Sequence, residues 1–155
     1  MNISELLKKA NIILKSQARN KWNVIDELVD LAVKNRDLLP ENKDSVKKAL
    51  YDREKSMSTA IGNGVAIPHC TSMNVQDLVF MLAISQEGID FDAIDNQPVK
   101  IIILIVVPKN KLTQHIKTLA NIARMMNNDS LRNRLLNFKT PESILKAVRE
   151  YDSKA

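Results

Sequence analysis

KIIILIVVP, residues 100–108, decides the fold. Seven apolar residues stand in a row at 101–107, most of them β-branched. A half-exposed strand alternates apolar and polar residues, because successive side chains point to opposite faces. This run does not alternate, so it reads as a strand covered on both faces. Pro108 ends it, since proline has no N–H to give the ladder. The run is far shorter than the roughly 20 apolar residues that span a bilayer.

Upstream, DLVFMLAIS at 77–85 reads as a longer strand, and Val65, Ala66 and Ile67 as a short one. EGIDFDAIDNQPV carries turn signals at Glu87-Gly88 and Asp95-Asn96. NIILK, 11–15, reads as a short edge strand, preceded by a short helix over 3–10. From Asn20, the residues Trp22, Ile25, Leu28, Val29, Ala32 and Val33 recur at spacings of three and four, until Pro40 stops the helix. A second helix starts near Asn42 or Lys43, buries Val46, Ala49 and Leu50, and places Arg53 and Glu54 near its end. After the long strand, Leu112, Ile116, Leu119, Ala123 and Met126 form one apolar stripe. Asp129 or Ser130 opens a short helix, and Thr140-Pro141-Glu142 starts the last one with a cap and a proline. Helices, then strands, then helices imply a mixed sheet with helices on both faces. A chain of 155 residues without repeats or low-complexity linkers suits one domain, 1–155.

Hydrophobic residues make up 45% and charged residues 26%, the balance of an ordinary soluble protein. One cysteine excludes an internal disulfide and a Cys-rich zinc site, and fits a reducing compartment. MNISELLKKANIILK holds charges throughout and no apolar stretch for a signal peptide. The expectation is a cytoplasmic protein with no direct membrane insertion. The net charge of +5 invites a nucleic-acid reading. However, Lys8, Lys9, Lys47 and Lys48 sit in helical patterns with acids close by, and no basic run is interleaved with aromatics. These are solvated helix faces, and no nucleic-acid partner is expected. A basic surface also suits an acidic protein or a phosphate.

The residues with chemistry crowd into GNGVAIPHC, 62–70. It holds two of three glycines, one of two histidines (His69) and the sole cysteine, Cys70. Glycines turn the backbone tightly and offer bare N–H groups to an anion, yet GNG is no P-loop. His69 follows Pro68 at a strand's end, where loops carry function; alone, it reads equally as a plain loop residue. His115 falls at the edge of the apolar stripe near a helix start, as either a structural histidine or an anion partner. Arg53 is either a surface residue or a planar fork able to grip a phosphoryl group. Ser58 and Thr59 add hydroxyls. If the strand continues, His69 and Cys70 face opposite ways, which disfavours a Cys–His nucleophile. Two histidines with Asp92 or Asp95 make a conceivable metal site that no recognised spacing supports. What remains is a histidine able to act as a nucleophile and carry a covalent group. A phosphoryl group there adds about 1.5–2 negative charges. Arg53, His115 and backbone N–H groups are the available counter-charges.

These residues resemble a known family. TAIGNGVAIPHC is similar to the signature of the type-2 EIIA domains of the bacterial phosphoenolpyruvate:sugar phosphotransferase system, the fructose, mannitol and nitrogen-regulatory group. GIDFDAIDNQPVKIIILIVVP resembles its second block, HIKTLANIARMM the helix with its second histidine, and DRE at 52–54 the arginine before the signature. The resemblance implies a three-layer α/β/α sandwich with a mixed sheet and no metal or organic cofactor. It implies a phosphocarrier in which His69 accepts a phosphoryl group from HPr or a nitrogen-branch counterpart. His115 and Arg53 would hold that group, with Ser58, Thr59, Asn63 and Gly64 as further phosphoryl-binding positions. Ala60 stands where the family often has glycine, and Cys70 where glycine or alanine is common, which bears on loop geometry. FDAIDNQPV, on a chain with no attached IIB or membrane segment, resembles the nitrogen-regulatory members, whose targets are regulatory proteins. The alternatives are a sugar-transport EIIA serving a IIB domain, and a phosphorylation-dependent binding module without onward transfer.

Overall fold

The apolar run becomes β6 (Val99–Pro108), the axis of a six-stranded sheet in the computed structural model, which describes residues 2–154. β5 (Val79–Ile89) lies antiparallel beside it, from Val79 opposite Val106 to Ile89 opposite Val99. β1 (Ile12–Ile13) pairs parallel with the outer side of β5 and forms an edge. The other side of β6 receives β3 (Val65–Ala66) and β4 (His69–Ser72), both parallel to it. β2 (Ala60–Gly62) closes that side, antiparallel to β3. The sheet is therefore mixed, as expected.

Helices cover both faces. α2 (Lys21–Lys34) and α3 (Lys43–Ser56) pack on Ile102, Leu104 and Val106 of β6. α1 (Ile3–Leu6), α4 (Leu112–Met126), α5 (Asp129–Asn137) and α6 (Pro141–Lys154) pack on Ile101, Ile103, Ile105 and Val107. The side chains at 101–107 alternate between two cores, and all are buried. Each such side chain contributes about 1.5–3 kcal/mol by leaving water, which explains the run without a polar residue. Asn20 caps α2 by accepting from the Asn23 N–H, and Thr140 caps α6 by accepting from the Ser143 N–H.

Five local readings change. β5 runs through Glu87-Gly88, where no chain reversal occurs. Gly88 absorbs an irregularity there with φ of +86°, and a Cβ on it would sit 2.7 Å from Pro98. α2 ends at Lys34, well before Pro40, through a turn in which Asp37 and Leu38 both donate to the Ala32 carbonyl. α5 is capped by the Asn128 side chain, which accepts from the Leu131 N–H, so the cap precedes Asp129. The short strand read at 65–67 is β3, and a separate strand, β4, follows Pro68. Finally, α4 is rotated relative to its apparent stripe. His115, Thr118, Ile122 and Met125 point inward, while Leu112 and Ile116 are 41% and 55% exposed.

Candidate active site

β4 begins at His69, and its register fixes where the imidazole points. His69 pairs with Ile105, which faces the α4 side, and Cys70 pairs with Val106, which faces α2 and α3. The two neighbours are thus on opposite faces, as strand geometry requires. Burial pushes the Cys70 thiol up to about 12, so it is neither thiolate nor partner to the histidine.

Pro68 matters because it interrupts the ladder next to the histidine. The Pro68 carbonyl still accepts from the Ile105 N–H. The Ile67 carbonyl instead lies 2.8 Å from His69 Nδ1. A carbonyl can only accept, so in the neutral ring Nδ1 carries the proton and Nε2 keeps its lone pair. The strand break therefore selects a tautomer.

His69 lies where two adjoining depressions of about 320 and 330 Å³ meet, and Arg53 and Leu119 also line both. A larger hollow of about 420 Å³ near Arg36 and Asn74 contains no histidine, so chemistry rather than size marks the site. Arg53 comes from the last turn of α3 and donates through Nη1 to the Met57 carbonyl, 2.7 Å away. That bond holds one edge of the guanidinium. Among the ion pairs of the described residues, Arg53 has no carboxylate. Its other donors are open to an anion.

Ser58 and Thr59 line the same depression, but their hydroxyls are engaged. Ser58 donates to the Phe91 carbonyl. Thr59 donates through its hydroxyl and its N–H (3.1 Å) to the Glu54 carboxylate. Glu54 is 2% exposed, and Lys21 Nζ approaches it at 3.5 Å while bonding Asp92 at 2.8 Å. Burial alone would lower the Lys21 pKa, but the hydrogen bond to Asp92 and the charge of Glu54 outweigh it and raise the pKa. Glu54 is the residue that sequence reasoning missed. A carboxylate in the last turn of a helix opposes the helix dipole, and that was the available signal.

Asn63 and Gly64 do not join His69. They line a separate hollow with Asp95, Lys100 and Arg132. The Asn63 N–H is taken by the Asp95 carboxylate at 3.0 Å, so the anion at the glycine loop is the chain's own. Asn63 and Gly64 have φ of 57° and 77°, and form the two-residue turn between Gly62 and its partner Val65. Positive φ at both positions is the hairpin conformation that Asn-Gly favours.

His115 is buried in α4, its Nδ1 3.3 Å from Thr118 Oγ1. It lines neither depression, but it stands between Leu112 and Leu119, which do. Burial, helped by the charge of Lys111, lowers its pKa, so the ring is neutral near pH 7. Among the described residues, no three His, Cys, Asp or Glu side chains are grouped to hold a metal, and no helix is long and apolar enough to cross a membrane.

Known proteins are similar to this chain in sequence and fold. A fructose-specific EIIABC component of Bacillus subtilis is 30% identical over 152 residues, which is 98% of this chain and 24% of that protein. The chain thus spans about a quarter of that relative. A nitrogen regulatory protein of Bradyrhizobium diazoefficiens is 32% identical over 135 residues, 87% of this chain and 86% of the relative. The crystal structure of nitrogen regulatory protein IIA-Ntr from Neisseria meningitidis superposes with a TM-score of 0.86 at 29% identity, covering 94% of this chain and 98% of that one. Residues 5–151 match the family described as "Phosphoenolpyruvate-dependent sugar phosphotransferase system, EIIA 2", and the chain belongs to that family.

Proposed function

We propose that this chain is a cytoplasmic phosphocarrier that accepts a phosphoryl group on His69 Nε2. The observation that carries the reading is the 2.8 Å contact between His69 Nδ1 and the Ile67 carbonyl, which leaves the Nε2 lone pair free beside Arg53. The donor would be a phosphohistidine on HPr or a nitrogen-branch counterpart. Nε2 attacks phosphorus, the donor's P–N bond breaks, and its electron pair returns to the donor nitrogen. Arg53 meets the incoming charge with its uncommitted N–H groups. The N-terminal turn of α4 brings Leu112 to the same depression, and its cap residue Lys111 supplies no side-chain acceptor. The positive end of that helix therefore adds to the field. Neutral His115 stands behind the wall, between Leu112 and Leu119, and adds no competing positive charge.

We favour regulatory use of the phosphoryl group. FDAIDNQPV and the likeness to the Neisseria meningitidis protein support it. Transfer to a IIB domain for sugar uptake is the second reading, favoured by the Bacillus subtilis fructose-specific relative. A binding module that keeps its phosphoryl group is the third. Incubation with phosphoenolpyruvate, Enzyme I, HPr and candidate IIB domains tests all three. Intact-mass analysis should give a phosphoryl adduct that is lost in His69→Gln. Onward transfer to IIB supports transport. A phospho-form that persists and changes binding to a regulator supports the other two. An adduct surviving in His69→Gln removes the acceptor assignment.

A further inference from the structure

We infer that Glu54 is a positioning residue for His69, acting through Thr59 and Ile67. This role rests on the phosphoryl-acceptor reading for its effect on rate, but not for its effect on the ring's tautomer.

An unbroken chain of hydrogen bonds runs from α3 to the imidazole. The Glu54 carboxylate accepts from the Thr59 N–H at 3.1 Å and from its hydroxyl at 2.5 Å. The Thr59 carbonyl accepts from the Ile67 N–H at 3.0 Å. The Ile67 carbonyl lies 2.8 Å from His69 Nδ1, which donates to it in the neutral ring. Ile67 falls between β3 and β4, where its bond to Thr59 stands in for the ladder. Glu54, Thr59 and Ile67 are all buried, so water cannot replace a bond lost within the chain. Without Glu54, nothing else holds both donors of Thr59, and the carbonyl that orients the ring loses its anchor.

The same short segment carries the other half of the site. Arg53 donates to the Met57 carbonyl, and Ser58 donates to the Phe91 carbonyl. Residues 57–59 are thus fastened one after another, and both Arg53 and, through Ile67, His69 are bonded to them. Filling space does not call for a carboxylate here. Glu54 sits in the last turn of α3, where the helix dipole opposes a negative charge and burial adds a desolvation cost. Lys21 Nζ, 3.5 Å away, offsets part of that. An apolar side chain would avoid both costs but could not hold Thr59. Glu54 lines neither depression at His69, so it acts from behind the wall. Its influence on transfer therefore falls on kcat, through the aim of the nucleophile, and not on KM.

Two substitutions separate reach from charge. Glu54→Gln keeps the length and loses the charge, whereas Glu54→Asp keeps the charge and falls a methylene short. Nitrogen NMR shifts of isotope-labelled histidine, assigned with His69→Gln, read the tautomer without any donor present. In Glu54→Gln the proton should stay on Nδ1, and kcat for transfer from phosphorylated HPr should remain within about threefold of wild type. In Glu54→Asp the proton should spread over both ring nitrogens, and kcat should fall roughly tenfold or more with KM within about twofold. Urea titration gives the unfolded fraction of each variant, and a loss of kcat no larger than that fraction overturns the role. An unchanged tautomer in Glu54→Asp, equal losses in the two variants, or a loss carried by KM overturns it too. If the tautomer responds as expected while wild type takes up no phosphoryl group on His69, the positioning chain stands and the acceptor reading falls.

Discussion

The two ends of GNGVAIPHC sit side by side in sequence and behave as opposites in space. At the glycine end the turn already holds a carboxylate of the chain itself. Asp95 takes the Asn63 N–H, and the Gly64 carbonyl accepts from Lys100 and Ile101. At the histidine end the internal bonds stop short. The Ile67 carbonyl binds only one ring nitrogen, and Arg53 retains free donors. Glycine-rich loops bind phosphate when their amides are vacant. Here they shape a hairpin, and the uncommitted donors lie at the histidine end.

That contrast can be broken at several points. His69→Gln should have the largest effect, reducing phosphoryl acceptance to background in an intact-mass assay. Arg53→Lys should slow acceptance by roughly tenfold or more, since a charge-assisted hydrogen bond worth about 1.5–3 kcal/mol loses its planar fork. Stopped-flow transfer kinetics from phosphorylated HPr measure this, and a rate equal to wild type would reduce Arg53 to a helix cap. Glu54→Ala strips two acceptors from buried Thr59 and should cost about 2–4 kcal/mol in a urea titration. Glu54→Gln should recover part of it by keeping one oxygen.

Asp95→Ala sharpens the comparison from the other side. It should cost about 1 kcal/mol and leave acceptance on His69 unchanged. A large loss of transfer would show that the glycine end belongs to the site after all. The smallest effect concerns His115. Its folded pKa lies below the unfolded value of 6.5, so the unfolded chain binds more protons between the two. The stability this residue confers is fully present above pH 6.5 and declines as pH falls towards the folded pKa. Urea midpoints of wild type and His115→Gln should therefore converge between pH 7.5 and pH 5.5, at about those two settings.

The central sheet and its helices were legible because their signals are local. Residues 101–107 need no partner to declare a doubly covered strand, and Asn20 and Thr140 cap within three residues. The errors have physical causes of the opposite kind. The phase of α4 misled because Leu112 and Ile116 look like core, while the buried face opens with His115 and Thr118. β4 stayed only a conditional reading because His-Cys-Thr-Ser has no strand pattern and owes its pairing to β6. The glycines did signal a tight turn, but the partner that claims the Asn63 amide, Asp95, lies 32 residues away. Around the site, His69 and Arg53 stood out as residue types with chemistry. Glu54, which pins the loop between them, acts only through contacts that folding creates.

The sheet's order of neighbours also has a consequence for how the chain folds. β5 and β6 are consecutive strands joined by a short antiparallel connection. β3 and β4 must return to β6 in parallel from much further back in the chain. Contacts between near neighbours in sequence close with less entropy loss and form sooner. In pulse-labelled refolding, amides of 80–84 and 101–106 should gain protection first, and those of 65–72 later. Native openings should run in reverse, with the histidine's strand detaching at lower free energy than the pair beneath it.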